Sequence, residues 1–245
     1  MSGKTIDSRP GPSLHVGEVA ALGERPRAAF AVSWSGGKDS ALAFWALRRG
    51  GREPRALLTT SSAAFDRVSH HGVRRQLVAR QAERLGIELV EVLLPIPCSS
   101  EEYERLFERA FAETVLAEIE TVAFGDIFLA ELRARRERKL ASAGRKGLFP
   151  LWQRDTAELA REFVAAGFEA TLVCVDPRAL DAAFCGRRYD DRLLAELPAG
   201  VDPCGENGEF HTFVSDGPIF AEPIACKRGE IVERDGFVFC DLTAA

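Results

Sequence analysis

The chain has 245 residues and lacks the features of several common protein classes. No apolar run approaches the roughly 20 residues of a membrane-spanning helix, and the longest runs, such as Ala170 to Val175, have the length of a strand. Residues 1–27 contain no apolar signal-peptide core. They are rich in Gly, Pro and Ser, which predicts a flexible tail. We therefore expect a cytoplasmic protein with no membrane partner.

Paired cysteines and excess positive charge are also missing. The six cysteines are scattered, and no two of them have the Cys-x-x-Cys spacing of a zinc knuckle or a redox dithiol. Reduced, mostly buried thiols are the expectation. The formal net charge of -5 gives no broad attraction to nucleic acid or to an anionic membrane. This balance argues against nucleic acid as a partner.

Strand-like runs alternate with helical patterns over much of the chain. Strands are predicted at 28–33, 55–60, 88–94, 121–124 and 170–175, and helices at 39–49, 73–85, 100–118, 128–143 and 156–166. Such alternation is typical of an α/β protein with a parallel sheet and helices on both faces. From Asp176 onward the alternation is lost, and a hairpin is predicted around Asp235-Gly236. This part predicts a smaller C-terminal α+β subdomain.

A dense polar loop follows the first predicted strand and leads directly into a helix. It consists of Ser35, Gly36, Gly37, Lys38, Asp39 and Ser40. Adjacent glycines let the backbone turn sharply and approach a ligand, and the amides and dipole of a helix start favour an anion. Lys38 adds a mobile positive charge. The Asp39 carboxylate is explained if it holds Mg²⁺ on the phosphates of a nucleotide.

This loop differs from the two commoner phosphate-binding motifs. The ordinary P-loop needs glycine where Ala31 stands and Ser or Thr where Asp39 stands, and the dinucleotide fingerprint needs a third glycine. A bare tight connection between strand and helix is the alternative. The presence of Lys38, Asp39 and two flanking serines favours nucleotide binding over that alternative.

A second cluster lies near the other end of the chain. Glutamates, an amide, a histidine and glycines share one short segment: Gly205, Glu206, Asn207, Gly208, Glu209, Phe210, His211 and Thr212. Its two carboxylates suit acid–base work, a metal ion or an amine. The alternative is a surface turn with solvated carboxylates, and the segment alone does not decide between them.

The two clusters together resemble a known family. Residues 35–40 are similar to the pyrophosphate loop of the PP-loop ATP pyrophosphatase superfamily, which is adenine nucleotide alpha hydrolase-like and cleaves ATP between the α and β phosphates. With the segment 205–210, the chain resembles the diphthine–ammonia ligase family. Gly125-Asp126-Ile127, Leu151-Trp152 and His71 add to the resemblance, which covers nearly all of 30–220.

The resemblance implies an architecture and a reaction. It implies a Rossmann-like, HUP-type nucleotide-binding domain at 28–130, joined to a C-terminal substrate subdomain at 131–245. The reaction would use ATP and magnesium to adenylate a carboxylate, and ammonia would then displace AMP to give an amide. The expected partners are ATP and AMP, a small-molecule or protein carboxylate acceptor, and an ammonia or amine donor, with a homodimer left open.

The resemblance also distributes roles among the residues. Catalytic roles fall to Lys38, Glu206 and Glu209, and Mg²⁺ binding to Asp39 and Asp126. Nucleotide binding falls to Ser35, Gly36, Gly37, Lys38, Asp39, Ser40 and Thr60. Substrate binding falls to His71, Gly125, Asp126, Trp152, Gly205, Asn207, Gly208, His211 and Thr212. For three residues a structural role stays open: Asp126 and His71 as helix caps, and Trp152 in the core.

Several alternatives remain open from the sequence. High Ala and Arg usage indicates a GC-rich bacterial genome, and 70–73 and 201–203 are similar to a bacterial branch of the family. Because bacteria lack diphthamide, the acceptor is left open. A basic run over 133–139 predicts a solvated helix face or a site for an acidic substrate. Sulfur transfer to tRNA and adenine-nucleotide binding without catalysis are the alternative functions.

Overall fold

The computed structural model describes residues 29–69 and 71–245. The predicted tail at 1–27 and residue His70 lie outside the described residues. Within the described parts of the chain, no helix has both the length and the apolar character to cross a bilayer.

The first sheet is largely parallel, as the strand–helix alternation predicts. Its strands are β1 (Phe30–Ser33), β2 (Ala56–Ser62), β3 (Arg67–Val68), β4 (Glu88–Leu94), β5 (Thr121–Ala123) and β6 (Lys146–Leu148). The parallel strands run in the order β4-β2-β1-β5-β6, and β3 pairs antiparallel with the end of β2. β1 pairs with the first part of β2 and ends at Ser33. Beyond that point, at the carboxyl edge, the short strand β3 pairs with β2 instead. That edge is where open α/β sheets bind ligands.

Helices cover both faces of this sheet. The described α-helices are α1 (Lys38–Arg49), α2 (Arg75–Leu85), α3 (Ser100–Glu113), α4 (Ala130–Ser142), α5 (Thr156–Ala165) and α6 (Asp191–Glu196), and α1 to α4 pack on this sheet. Side chains alternate along β1, so Phe30 and Val32 enter one buried cluster with α1 and α2, while Ala31 enters another with α3 and α4. The expected α/β class with helices on both faces is confirmed.

The C-terminal part forms a second, antiparallel sheet. Its strands are β7 (Glu169–Val175), β8 (Phe210–Asp216), β9 (Cys226–Arg234) and β10 (Phe237–Ala244), in the order β8-β7-β10-β9. The hairpin predicted at Asp235-Gly236 is confirmed, with φ of 53° and 79° at its two turn residues.

Placing 170–175 in the parallel sheet was wrong. β7 pairs antiparallel with β8 and β10. An apolar run predicts a buried strand, but it does not say which strands will lie beside it, and here both partners come from later in the chain.

The first sheet also extends further along the chain than expected. β6 pairs with β5 in parallel register, so the sheet continues to Leu148, beyond residue 130. The division into a 28–130 and a 131–245 domain stays a prediction. One buried cluster contains Phe30 and Leu42 from the first sheet and its helix together with Leu172 and Phe213 from the second. The two sheets therefore share a core.

Candidate active site

The polar loop at 35–40 sits at the carboxyl end of β1 and opens α1. Gly36 has a φ of +80°, a backbone conformation that only glycine adopts easily. Gly37 is the N-cap of α1, and no side chain caps the helix at that position. The hydroxyl of Ser40 donates to the carbonyl of Gly37 at 2.9 Å, and the amide of Gly37 donates to the Ser35 hydroxyl at 3.3 Å. These bonds fix the loop at the start of the helix dipole.

Lys38 is held in place, and the expectation that its charge is mobile was wrong. Only 2% of the residue is exposed. Its ammonium donates to both oxygens of Asp39, at 2.8 and 2.9 Å, and to the carbonyl of Cys204. Burial opposes the charge, but the nearby carboxylates, Asp39 foremost and Glu206 with it, outweigh burial, so the pKa of Lys38 is raised. The loop thus carries a fixed cation.

The second sheet closes over the loop through β8. The backbone N–H of Lys38 donates to the hydroxyl of Thr212 at 3.0 Å, and the N–H of Val214 donates to the carbonyl of Gly36 at 2.9 Å. The sequence predicts unpaired amides at the start of α1, but the amide of Lys38 is hydrogen-bonded to β8. The strand was not predicted, although it carries two of the expected site residues, His211 and Thr212.

Two histidines lie together beside the loop. The rings of His71 and His211 are 4.5 Å apart between centroids, and Nδ1 of His71 lies 3.3 Å from the carbonyl oxygen of Thr212. A Cβ added at Gly37 would lie 2.8 Å from Cε1 of His71. It would also lie 3.0 Å from the backbone oxygen of Thr212, so glycine lets both the imidazole and β8 approach this position closely. His71 does not cap α2, because Arg74 is the N-cap of that helix.

Gln81 supports the loop from beneath and was missed by the sequence analysis. It is fully buried on α2. Its amide nitrogen donates to the carbonyls of Gly36 and Val214, at 3.1 and 2.7 Å, while its oxygen accepts from Nε1 of Trp34 at 2.9 Å. The only signal in the sequence is a polar residue at a position of α2 where the apolar pattern predicts a buried side chain.

Carboxylates surround the other side of Lys38. Oε1 of Glu206 accepts from the backbone N–H of Ile127 at 2.8 Å. Burial raises the pKa of Glu206 to about 7; the Ile127 amide opposes the rise, and the negative charge of Asp39 adds to it. Burial also raises the pKa of Asp126, against the opposing charge of Arg136, whose Nε lies 2.6 Å from Oδ2.

Asp126 does not begin a helix. α4 starts at Ala130, and Leu129 is its N-cap, so the capping alternative for Asp126 was wrong. Instead the chain between β5 and α4 runs close to the start of α1. A Cβ added at Gly125 would lie 2.7 Å from the carbonyl carbon of Asp39. The absence of a side chain at Gly125 thus brings the Asp126 carboxylate near the loop.

Glu209 differs in its surroundings from Glu206. It is buried, and its carboxylate accepts hydrogen bonds from the N–H of Asp202 at 3.1 Å and from both the backbone and side-chain nitrogens of Asn207 at 3.0 Å. Gly205 and Gly208 have φ of +66° and +91°. The Glu209 carboxylate therefore holds the turn that presents Glu206 to the loop.

Thr60 and Trp152 take part in other contacts. Thr60 lies on β2, and its carbonyl accepts the N–H of Ser69, just after β3, at 3.0 Å. Trp152 is half-buried against the second core, with the Arg133 guanidinium 4.6 Å from its ring centre. These contacts agree with the alternative that Trp152 packs in the core.

Several residues of the basic run on α4 make contacts within the protein. Arg133 packs on aromatic rings, Arg136 pairs with Asp126, and the Lys139 ammonium lies 3.4 Å from the ring centre of Tyr103.

Cys204 is buried beside the loop as a packing residue. Its thiol donates to the carbonyl of Thr156 at 3.3 Å, and burial raises its pKa to about 12. A thiol with this pKa is uncharged at neutral pH and is a poor nucleophile.

Asp39 and Asp126 offer the hard oxygens that Mg²⁺ prefers. Among the residues that the structure describes, no three His, Cys, Asp or Glu side chains form a complete metal cluster. Two carboxylates are nevertheless enough for Mg²⁺ when phosphate oxygens and water supply the remaining ligands. The donor set therefore fits a magnesium ion that is shared with a bound nucleotide.

The fold and the loop at 35–40 define an α/β protein with a loop of the PP-loop type. Residues 28–147 match the diphthamide synthase N-terminal domain, and residues 155–243 match the diphthamide synthase C-terminal domain. The chain therefore belongs to the diphthamide synthase family, as the sequence resemblance implies.

Curated relatives of the chain carry the name diphthine–ammonia ligase. The protein from Schizosaccharomyces pombe is 32% identical over 58% of this chain and 24% of its own length, and the Rattus norvegicus protein is 34% identical over 59% and 56%. The Mus musculus protein is 30% identical over 74% of this chain and 72% of its own length. The chain thus spans about half or less of the first two relatives.

Proposed function

We propose that the protein is an ATP-dependent ligase that adenylates a carboxylate and converts it to an amide, releasing AMP and pyrophosphate. The observation that carries the proposal is the fixed contact between the two clusters. The Lys38 ammonium bridges the Asp39 carboxylate and the carbonyl of Cys204, which adjoins the loop of Glu206. A fixed cation suits the release of pyrophosphate in the adenylation, and a carboxylate of raised pKa suits proton acceptance in the amidation. The names of the curated relatives agree with this chemistry.

The first step forms the acyl adenylate. A carboxylate oxygen of the acceptor attacks the α-phosphorus of ATP, a new P–O bond forms, and the bond between the α-phosphorus and the bridging oxygen breaks to release pyrophosphate. Negative charge builds up on the departing group. The buried Lys38 ammonium and the start of α1 are preorganised to stabilise that charge, with the hydroxyls of Ser35 and Ser40 as further donors.

Magnesium would be held by Asp39 and Asp126. Bound there with the phosphates, it would supply charge neutralisation at the leaving group. Arg136 keeps the Asp126 carboxylate in its place and limits the rise of its pKa.

The second step transfers the acyl group to nitrogen. Ammonia attacks the acyl carbon, the bond from that carbon to the AMP oxygen breaks, and the nitrogen gives up one proton as the amide forms. Glu206 suits the role of proton acceptor because its pKa of about 7 lies near neutral pH. The same carboxylate would attract an ammonium ion as it arrives.

The remaining cluster residues take supporting roles in this proposal. Glu209 is a positioning residue rather than the acid or base expected from its sequence, because its carboxylate is occupied by its own loop. His71 and His211 face the loop and contact the nucleotide or the acceptor.

The proposal is tested by the products. Purified protein with MgATP, ammonium and a panel of carboxylic acids is expected to release AMP and pyrophosphate in equal amounts, together with the amide. ADP as the product would overturn the mechanism. Nucleotide binding without turnover for any acid would favour a sensor instead. Sulfur transfer is disfavoured by the raised pKa values of the buried thiols of Cys174, Cys185 and Cys204.

A further inference from the structure

A cavity lies beside the candidate active site and has no role in the chemistry proposed above. Its volume is about 360 Å³, within the ordinary range for small-molecule sites. It opens at the carboxyl ends of β2 and β4, and β10 of the second sheet forms the facing wall. Most of its lining is apolar and includes Phe65, Leu94, Ile96 and Phe239. Phe65 and Ile96 are half exposed at 50% and 56%, so the cavity mouth keeps apolar surface in water.

The charge inside this cavity has one sign. Among the described residues that line it, Arg67 and Arg234 are charged and none is acidic. Arg67 is committed elsewhere, since its guanidinium donates to the carbonyl of Gly72 and to Asp241, both at 2.8 Å.

Arg234 is less committed. Its Nε lies 3.9 Å from Oδ2 of Asp235, a carboxylate that is 85% exposed and therefore pairs weakly. The guanidinium instead lies 5.1 Å from the ring centre of Phe65 and 5.0 Å from that of Phe239. Arg234 thus offers a planar donor group to an anion while occupying the aromatic faces that would otherwise attract a cation.

The cavity is joined to the candidate active site through two adjacent residues. Gly72 forms part of the cavity wall, and a Cβ added there would lie 2.7 Å from the Phe239 ring. The preceding residue, His71, presses on Gly37 of the phosphate-binding loop. A ligand in the cavity therefore contacts the same segment that contacts the loop.

We propose that this cavity binds the acceptor of the ligase reaction, and that the acceptor is a small organic anion with an apolar body. This inference rests on the proposed function. The apolar body lies between Phe65, Phe239 and the Leu94–Pro97 segment, and an anionic group pairs with Arg234. A quaternary ammonium or another cationic acceptor fits poorly, because the positive charge of Arg234 repels it and the guanidinium already lies over the Phe65 and Phe239 rings.

The test compares two probes with the same apolar body and opposite charge. 4-Phenylbutanoate and phenylbutyltrimethylammonium are titrated into isotopically labelled protein, and the amide signals are followed by NMR. The anion is expected to shift the signals of Phe65, Gly72 and Phe239 and to bind at least tenfold more tightly than the cation. The variant Arg234→Gln is expected to lose about tenfold in affinity for the anion, while Arg234→Lys keeps most of it.

The matched control is Arg109→Gln on α3, which removes one exposed arginine far from the lining residues and leaves binding unchanged. Equal or tighter binding of the cation, or an unchanged anion affinity in Arg234→Gln, overturns the inference. A separate assay measures AMP release from ATP with a panel of acids. Anion binding at the cavity without AMP release from any acid overturns the ligase proposal and the acceptor role. AMP release without anion binding at the cavity overturns only the inference.

Discussion

The backbone N–H of Lys38 donates to the side-chain hydroxyl of Thr212 at 3.0 Å, across a separation of 174 residues. This bond joins the start of α1 to β8. A second hydrogen bond between the loop at 35–40 and the second sheet runs from the N–H of Val214 to the carbonyl of Gly36. The geometry of the loop therefore depends on both sheets.

Removing the Thr212 hydroxyl tests that dependence. Thr212→Val keeps the shape of the side chain but leaves the buried N–H of Lys38 without its acceptor. We expect the free energy of unfolding to fall by about 2 kcal/mol, measured by urea denaturation. The dissociation constant for ATP is expected to rise as well. Thr212→Ser restores the hydroxyl and is expected to recover most of both quantities; an equal loss in Thr212→Ser would contradict the role of the bond.

Replacing Lys38 tests the proposed stabilisation of the leaving group. Lys38→Met keeps the aliphatic stem and removes the charge, so AMP release is expected to fall by about 10²- to 10³-fold, the usual effect of deleting a preorganised donor. The rate is measured by quantifying AMP under saturating ATP. Lys227→Met, at an exposed position on β9, is the control and is expected to retain full activity. A fall of less than about threefold in Lys38→Met would argue against this role.

The pKa of Glu206 predicts a pH profile for amide formation. As a proton acceptor the residue must be ionised, so the rate is expected to rise with pH through about 7. Free ammonia is held constant in this experiment, because its concentration otherwise rises with pH. In Glu206→Gln the limb is then expected to disappear, leaving a low rate that no longer changes near pH 7. Single-turnover amide formation from a preformed adenylate isolates this step. Persistence of the same limb in Glu206→Gln would assign it to another group.

The same residue predicts how stability depends on pH. Burial raises the pKa of Glu206 from 4.5 to about 7, so between these values the folded protein binds a proton that the unfolded chain has lost. The contribution of Glu206 to the free energy of unfolding is therefore most favourable below pH 4.5, and it declines as the pH rises to about 7. Because Gln does not titrate, Glu206→Gln is expected to gain stability relative to the parent between pH 5 and pH 8, by at most about 3 kcal/mol. Urea denaturation at both pH values measures this, and a constant difference would show that the pKa is not raised.

Gln81 gives a prediction about the support of the loop. Gln81→Leu leaves the indole N–H of Trp34 without an acceptor and removes the donor to Gly36 and Val214. We expect a loss of about 3 kcal/mol in the free energy of unfolding. Gln76→Leu makes the same chemical change at an exposed position of the same helix, and its effect is expected to stay within about 0.5 kcal/mol. Similar losses in both variants would point to a general effect on α2.

The parts of the site that could be predicted are those encoded locally. The strand, the two glycines, the lysine and the helix at 30–49 are contiguous, so the turn and the position of the loop follow from propensity and spacing. The carboxyl edge of the sheet follows from the strand–helix alternation. For the same reason the turn at Gly205–Phe210 could be recognised as a unit.

The rest depends on contacts between distant segments. The closure of β8 over Lys38, the bond from Ile127 to Glu206, and the network of Gln81 arise from residues that the fold brings together across 45 to 174 positions. Glu209, by contrast, bonds within its own loop. Periodicity shows that Gln81 faces the interior, but not that its amide reaches a backbone carbonyl of the loop. The short strand β3 was missed because two residues give no periodic signal.

The contact between Lys38 and Thr212 also sets an order of events during biosynthesis. A ribosome makes the loop at 35–40 roughly 175 residues before β8. Until Thr212 and Val214 have emerged, a nascent chain has the loop without the strand that closes it. The closed arrangement of the loop is therefore reached only after β8 has been made, however early the loop itself can fold.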